Sequence, residues 1–271
     1  MSEAFDLAGY FRRIDFSGSR EPTLETLKAL HTKHAAAIPF ENLDPLLRRP
    51  VNLDLTSLQA KLVKGGRGGY CFEQNTLFAT ALDALGFDVT RLGARVRWNA
   101  PLDRPEGPRT HMILRVTIDG RPYLADVGFG GYILSGPLKL QHDTEQADAG
   151  NVVRLVGKGD DHVLQLRRST AWGDVYRFDL VPQLPIDYAV SNWWTSTHPT
   201  ALFVGNLLAE RLTPDARFSL FNTRLTMRFA DGGTEERKLT TPDELADVLT
   251  QSLGIELPAE PDAIWARLPR D

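Results

Sequence analysis

The strongest constraint on the fold lies in the middle of the chain. Met112, Leu114, Val116 and Ile118 alternate with other residues, Asp119-Gly120 follows, and residues 123–127 are again strand-like. Apolar residues two apart line one face of a strand, and Asp-Gly between two such runs is the strongest short-range hairpin signal. With Asp119-Gly120 as a two-residue loop, Ile118 faces Arg121, Asp126 falls opposite Ile113, and His111 falls opposite Gly128. His111 and Asp126 then become diagonal neighbours on one face, within reach of a carboxylate–imidazole contact. Met112, Leu114 and Val116 point to the other face. Pro122 pairs with Thr117 at a non-hydrogen-bonded position, where its missing N–H costs the ladder nothing. An aspartate on an otherwise apolar strand needs a partner if buried, and His111 is the natural one. The hairpin alone fits a self-satisfying buried pair as well as a catalytic one.

Around this hairpin the chain changes character twice. Leu24, Leu27, Leu30, His34 and Ile38 recur at helical spacing until Pro39, and further helices are expected over 55–63 and 72–85, the latter stopped by Gly86. From Val89 the pattern turns to strands: Leu92, Ala94, Val96 and Trp98 alternate with arginines, and runs at 152–156, 163–167 and 176–181 follow. A short crossing helix is expected over 187–194. Strands near 218–220, 225–229 and up to 239 come next, then a helix from the capping signal Thr241-Pro242-Asp243-Glu244 to about Leu253. The expected class is α+β in three parts: helical to residue 86, antiparallel β over 87–186, and mixed from 187 to 271.

A net charge of −4 gives no reason to expect nucleic acid or an anionic membrane as partner. The first residues carry no apolar core of signal-peptide type, and no apolar run approaches the roughly 18 residues of a membrane span. The cytoplasm is the expected location. The single cysteine, Cys71, has no internal disulfide partner, so it is either a small buried hydrophobe or a reactive thiol.

Its setting favours the thiol. In Gly65-Gly66-Arg67-Gly68-Gly69-Tyr70-Cys71-Phe72-Glu73-Gln74-Asn75, four glycines allow a tight turn and place Cys71 in the first turn of a helix. Free amides and the helix dipole there favour an anion. That effect is about 0.3–1 kcal/mol when exposed and up to ~2 when partly buried, so full ionisation needs a histidine as well. A phosphate cradle is the rival reading, but the stretch lacks the Gly-Lys-Ser/Thr ending of a P-loop and the spacing of a dinucleotide fingerprint. Cys71 as nucleophile, His111 as base and Asp126 as orienter follow the logic of a triad. Spacing alone does not bring Cys71 to the hairpin.

The chain resembles the arylamine N-acetyltransferases. The likeness rests on Tyr10-Phe11-Arg12-Arg13-Ile14, on Ile38-Pro39-Phe40-Glu41-Asn42-Leu43, on Arg67 to Asn75, on Thr110-His111 and on Asp126-Val127-Gly128-Phe129-Gly130. His198-Pro199-Thr200-Ala201-Leu202-Phe203 adds a last landmark, with threonine where many relatives have serine. The resemblance implies an N-terminal helical bundle, an antiparallel β-barrel and a C-terminal α/β lid around a cysteine-protease-like core. It implies ping-pong transfer from acetyl-CoA through Cys71 to arylamines, arylhydrazines or N-hydroxyarylamines, with no metal. Phe40, Phe129 and Phe203 match positions that line the amine pocket, and Val96, Trp98, Thr110 and Gly130 match positions near the coenzyme. Arg67, Glu41 and Asn42 match residues that support the loop bearing the cysteine. A cysteine hydrolase or transglutaminase-type enzyme with the same triad is the nearest alternative, and a non-catalytic binder of coenzyme or aromatic amines is another. His31 and His34 are read as packed or solvated rather than as metal ligands, and His142 and His162 as loop residues without partners. Trp193-Trp194 is expected to pack an interdomain helix, and Glu235-Glu236-Arg237-Lys238 to be a solvated strand end.

Overall fold

The computed structural model describes residues 4–101, 103 and 105–269, so the outermost ends of the first and third expected parts lie outside the described residues. Oxygen-bearing caps start the early helices. Asp6 accepts from Gly9 N–H at α1 (Leu7–Arg13), and Thr23 accepts from Thr26 N–H at α2 (Leu24–Ala37). Ile38, which precedes proline, is extended and ends α2. Next come β1 (Phe40–Glu41), α3 (Leu43–Leu46), α4 (Leu55–Leu58) and α5 (Cys71–Ala84). The helix expected over 55–63 is only one α turn, widening into a π-type segment over Gln59–Lys64. Gly86, at φ 82°, closes α5.

The barrel strands are β2 (Asp88–Val96), β3 (Arg109–Ile118), β4 (Arg121–Ala125), β5 (Leu138–Lys139), β6 (Gln146–Asp148), β7 (Asn151–Lys158), β8 (Asp161–Arg168) and β9 (Ala171–Pro182). They form one sheet in the order β5-β4-β3-β2-β9-β8-β7-β6. The Gln146 side chain bridges its edges, accepting from Lys139 N–H at 2.7 Å and donating to Lys139 C=O at 3.0 Å, so the sheet nearly closes. The β3–β4 hairpin has the register expected from its loop: Ile118 pairs with Arg121, Thr117 with Pro122 and Leu114 with Ala125. Asp119 and Gly120 both have positive φ, 49° and 72°, as a type I′ turn requires. The alternation expected for β2 fails past Ala94. A bulge between Ala94 and Arg95 shifts the register, leaving Val96 39% exposed and burying Arg97.

After the barrel come α6 (Pro185–Thr197), α7 (Leu202–Gly205), and strands β10 (Leu208–Leu212), β11 (Ala216–Phe221), β12 (Arg224–Phe229) and β13 (Thr234–Lys238). Helices α8 (Pro242–Asp247) and α9 (Pro261–Trp265) follow. The second sheet is ordered β1-β10-β11-β12-β13. The early strand β1 thus pairs far along the chain, Phe40 against Glu210. The hairpin sits between two apolar cores. Met112, Leu114 and Val116 pack on the helices with Leu77 and Phe78, whereas Ile113 and Leu124 fill the barrel with Leu155, Leu164 and Tyr176. A third core with Leu220, Leu225, Leu249 and Ile264 backs the second sheet. The Trp193-Trp194 pair does not pack as expected, because Trp193 stays 63% exposed on α6 while Trp194 lines a cleft. All five residues of β13 are exposed, as expected for a solvated strand end. No helix among the described residues is long and apolar enough to cross a membrane.

Candidate active site

Cys71 is the first residue of α5. Glu73 secures this start by accepting the Tyr70 N–H at 3.0 Å, the reciprocal half of a capping box. The glycines before it make room for protein rather than for phosphate. A Cβ on Gly68 would lie 2.1 Å from the Pro39 carbonyl oxygen, and one on Gly69 would lie 2.8 Å from the Glu73 carboxylate. The turn is instead bonded to β1, with Gly69 N–H donating to Pro39 C=O at 3.3 Å and Glu41 N–H to Gly69 C=O at 3.1 Å. Beneath it lies an ionic cluster. Lys61 Nζ is 2.7 Å from Glu73 and 2.6 Å from Asp44, and Arg67 Nε donates to Glu41 at 2.8 Å. Burial pushes the Glu73 carboxyl up to about 7, against the pull of Lys61 and with the help of Glu41. Arg67 and Glu41 support the loop as expected. Asn42 serves a different wall: its amide donates to Phe203 C=O at 2.9 Å and Asn206 C=O at 2.7 Å.

The hairpin brings His111 and Asp126 together, His111 Nε2 to Asp126 Oδ2 at 2.7 Å, with both side chains buried. Asp126 Oδ1 accepts two further bonds at 3.0 Å, from Asn75 Nδ2 and from Gly128 N–H. With Nε2–H spent on the carboxylate, Nδ1 remains for the thiol. Burial alone would lower the His111 pKa; the Asp126 charge, its hydrogen bond and the neighbouring Cys71 outweigh that and push it up to about 10. The same contacts hold Asp126 below the usual carboxylate range despite its burial. Cys71 Sγ lies 3.5 Å from Thr110 C=O. The hairpin and α5 touch so closely that a Cβ on Gly128 would sit 2.8 Å from Cys71 Cα.

Three supporting residues have no role in the sequence reading. Asn75, one helical turn after Cys71, also donates to Met112 C=O at 2.8 Å and accepts from Val127 N–H at 3.1 Å, stitching α5 to the hairpin. Its place in the glycine-rich stretch is the only signal of this. His31 is fully buried and its Nε2 accepts the Asp126 N–H at 3.3 Å; burial lowers its pKa to about 4, so it is neutral. The Tyr176 ring lies 5.0 Å from the His111 ring. His34 is likewise buried, between the Tyr10 hydroxyl and Gln74. His142 and His162, expected in loops without partners, bond to each other at 2.6 Å, and His162 lies on β8 stacked against Phe178.

Cys71 and His111 open into a cleft of about 1170 Å³. All three expected pocket aromatics line it: Phe40 from β1, Phe129 after the hairpin and Phe203 from α7. Phe40 and Phe203 meet edge-on at 5.8 Å, and Phe129 lies 5.0 Å from the His111 ring. Val96, Trp98, Thr110 and Gly130 line the same cleft. Gly130 is required there, since a Cβ would lie 2.2 Å from the Phe40 ring. Asp126 does not reach the cleft; it lies behind His111.

A cysteine at a helix start, set against an imidazole–carboxylate pair on an antiparallel barrel, defines the class: proteins with a cysteine-protease-like core. Within that class the relationship is specific. The family profile described as N-acetyltransferase matches residues 23–261. The arylamine N-acetyltransferase of Mycobacterium tuberculosis is 42% identical over 257 residues, spanning 94% of this chain and 90% of that one. The solved structure of the Mycobacterium marinum arylamine N-acetyltransferase superposes with a TM-score of 0.93 at 41% identity, covering 97% of this chain and 98% of that one. The same M. marinum protein in complex with CoA gives 0.92, again at 41% identity with 97% and 98% covered. The chain belongs to the arylamine N-acetyltransferase family.

Proposed function

We propose that this chain transfers the acetyl group of acetyl-CoA to arylamines, arylhydrazines and N-hydroxyarylamines through an acetyl-cysteine thioester. The observation that carries the reading is the shared cleft: Cys71 and His111 open into one cavity walled by Phe40, Phe129 and Phe203. Apolar aromatic walls suit a flat aromatic acceptor, and the matched relatives bear the corresponding name. Residues 1–86 present the nucleophile, 87–186 the His–Asp pair, and 187–271 the lid.

The roles follow from the geometry. His111, held protonated at neutral pH by Asp126, pairs with the Cys71 thiolate. The thiolate attacks the thioester carbonyl; a carbon–sulfur bond forms to Cys71, and the bond to coenzyme A breaks. His111 gives its proton to the departing thiolate. The amine then attacks the Cys71 thioester and His111, now neutral, takes the amine proton. The amide leaves and the starting ion pair is restored. Asp126 holds the imidazole with Nε2 towards the carboxylate and stabilises its charged form. The aromatic walls exclude water, which would otherwise hydrolyse the thioester without product. A lone catalytic thiol stays usable in a reducing compartment, which supports the cytoplasm as its place of work.

Incubation with acetyl-CoA and a simple aniline or hydrazine tests this directly. The expected products are free CoA and the acetylated amine in equal amounts. Slow CoA release with no amide would make the chain a hydrolase and overturn the transferase reading.

A further inference from the structure

The chain as a whole is acidic, at −4, yet the described lining of the cleft is not. It carries five arginines (167, 168, 217, 224 and 228) and one carboxylate, Glu210. Two of these arginines are neutralised: Arg217 lies 2.7 Å from Glu210, and Arg167 lies 3.0 Å from Glu145. Among the described residues, no carboxylate lies within 4.0 Å of Arg168, Arg224 or Arg228.

These three come from two elements that line the same cleft, Arg168 from β8 and Arg224 and Arg228 from β12. Arg168 ends β8; its guanidinium lies 4.0 Å above the Trp98 ring and donates to Asn99 Oδ1 at 2.6 Å. Neutral partners therefore fix its position without cancelling its charge. Arg224 and Arg228 lie four apart on β12 with Thr226 between them, so all three share one face. The same face of β11 presents Ser219 opposite Thr226. Burial, and the positive charge of Arg228 facing it from the second sheet, lower the Arg168 pKa. Like charges brought together in a partly desolvated cleft repel one another. An anion between them would relieve that repulsion, and arginine forks match phosphate in bidentate geometry.

We infer that Arg168, Arg224 and Arg228 anchor the phosphate groups of the acyl-CoA donor at the mouth of the cleft, while its thioester end reaches Cys71. This rests on the acetyl-CoA reading above and adds to it the residues that distinguish the coenzyme from a bare thioester. The diphosphate and the ribose phosphate of coenzyme A supply the multiple negative charge that three unpaired guanidiniums call for. Trp98 then has two tasks, carrying Arg168 on one face and walling the donor path. The donor preference of the chain becomes a property of the joint between barrel and second sheet, rather than of the residues around the sulfur.

The test compares two donors that share the thioester arm, acetyl-CoA and phosphate-free acetylpantetheine, with aniline as acceptor. It uses the full-length protein and its Arg168→Gln, Arg228→Gln and doubly substituted variants. The quantity read is the ratio of kcat/KM for acetyl-CoA to that for acetylpantetheine. Each single substitution is expected to lower the ratio about tenfold, and the double variant more than either, as for loss of charge-assisted phosphate contacts. Raising the salt concentration should weaken acetyl-CoA use more steeply in the unsubstituted protein than in the double variant. Equal losses for both donors would assign the arginines a structural role and overturn the inference; an unchanged ratio would do the same. If the unsubstituted protein acetylates aniline equally well from both donors, the anchor is overturned while the transferase reading stands. If it acetylates aniline from neither, both fall.

Discussion

Replacing Gly128 with alanine tests whether the closeness of α5 to the hairpin sets the chemistry. The new Cβ would lie 2.8 Å from Cys71 Cα, 3.0 Å from Gln74 Cβ and 3.0 Å from Asn75 Nδ2. Ordinary contact begins at 3.4 Å, so the two elements must part by about 0.6 Å. Nothing flexible absorbs this: Cys71 Cα is backbone, and Asn75 is bonded to both Met112 and Asp126. The gap opens across the sulfur–imidazole pair. A misplacement of 1 Å costs about 10²-fold in rate, so 0.6 Å scaled in free energy gives roughly 15-fold, about 1.6 kcal/mol. Overpacking should also cost about 1–3 kcal/mol of stability. The assay is single-turnover acetylation of Cys71 by acetyl-CoA, run where circular dichroism shows both proteins folded. Gly136→Ala serves as the control, because a Cβ there meets nothing within 4 Å. A folded Gly128→Ala protein that acetylates within twofold of the unsubstituted rate would refute the reasoning.

Cys71→Ala should abolish transfer, and in the unsubstituted protein iodoacetamide should alkylate Cys71 rapidly near neutral pH, with acetyl-CoA protecting it; peptide mass analysis reads both, and substantial turnover in the alanine variant would remove covalent catalysis. The His111 pKa is raised from 6.5 to about 10, so its contribution to stability is full below pH 6.5 and fades as pH rises through 10, with a slope approaching about 1.4 kcal/mol per pH unit. Asp126→Asn removes the main cause and should flatten that decline in urea titrations at pH 7 and pH 9; an equal decline in both proteins would contradict the assignment. Gln74→Glu should be severe, because the Gln74 amide donates to the carbonyls of Ile38, Pro39 and Gly69. A carboxylate there turns a donor into an acceptor facing three acceptors, costing about 3 kcal/mol or more, read as a lowered urea midpoint; a midpoint unchanged from that of the unsubstituted protein would show that the loop before Cys71 does not depend on these bonds.

What could be read from the sequence is what local geometry decides. A two-residue loop with positive φ at Asp119 and Gly120 fixes the register of β3 and β4, and that register alone puts His111 beside Asp126. Glycines followed by a helical stripe put Cys71 at a helix start. The meeting of these two pieces is decided elsewhere, by Leu77 and Phe78 packing against Met112 and Leu114 and by Asn75 bonding across the joint. No spacing rule encodes those contacts. The β2 bulge escaped because it exists only through pairing with β3: read alone, Arg97 looks like one more outward arginine, yet it is buried. β1 is two residues long and finds its partner some 170 positions away, which no periodicity announces. His31 looks like any helix histidine until its Nε2 meets the Asp126 amide.

The two kinds of long-range contact divide the labour of the site. The α5–hairpin joint is bonded throughout: Asn75 and Gly128 hold Asp126, His31 holds its backbone, and burial leaves these groups little alternative. Such a joint suits a step that tolerates little misalignment. The walls of the cleft come instead from separate parts of the chain. Phe40 enters on β1, Phe129 follows the hairpin and Phe203 sits on α7, held to Asn42 through its carbonyl. β1 is also the edge strand of the second sheet, and it is bonded to the turn before Cys71 through Gly69 and Gln74, so a displacement of β1 reaches both Phe40 and the start of α5. Substitutions on β12, away from these bonds, would act instead on the donor side of the proposed reaction, through Arg224 and Arg228 in the cleft lining.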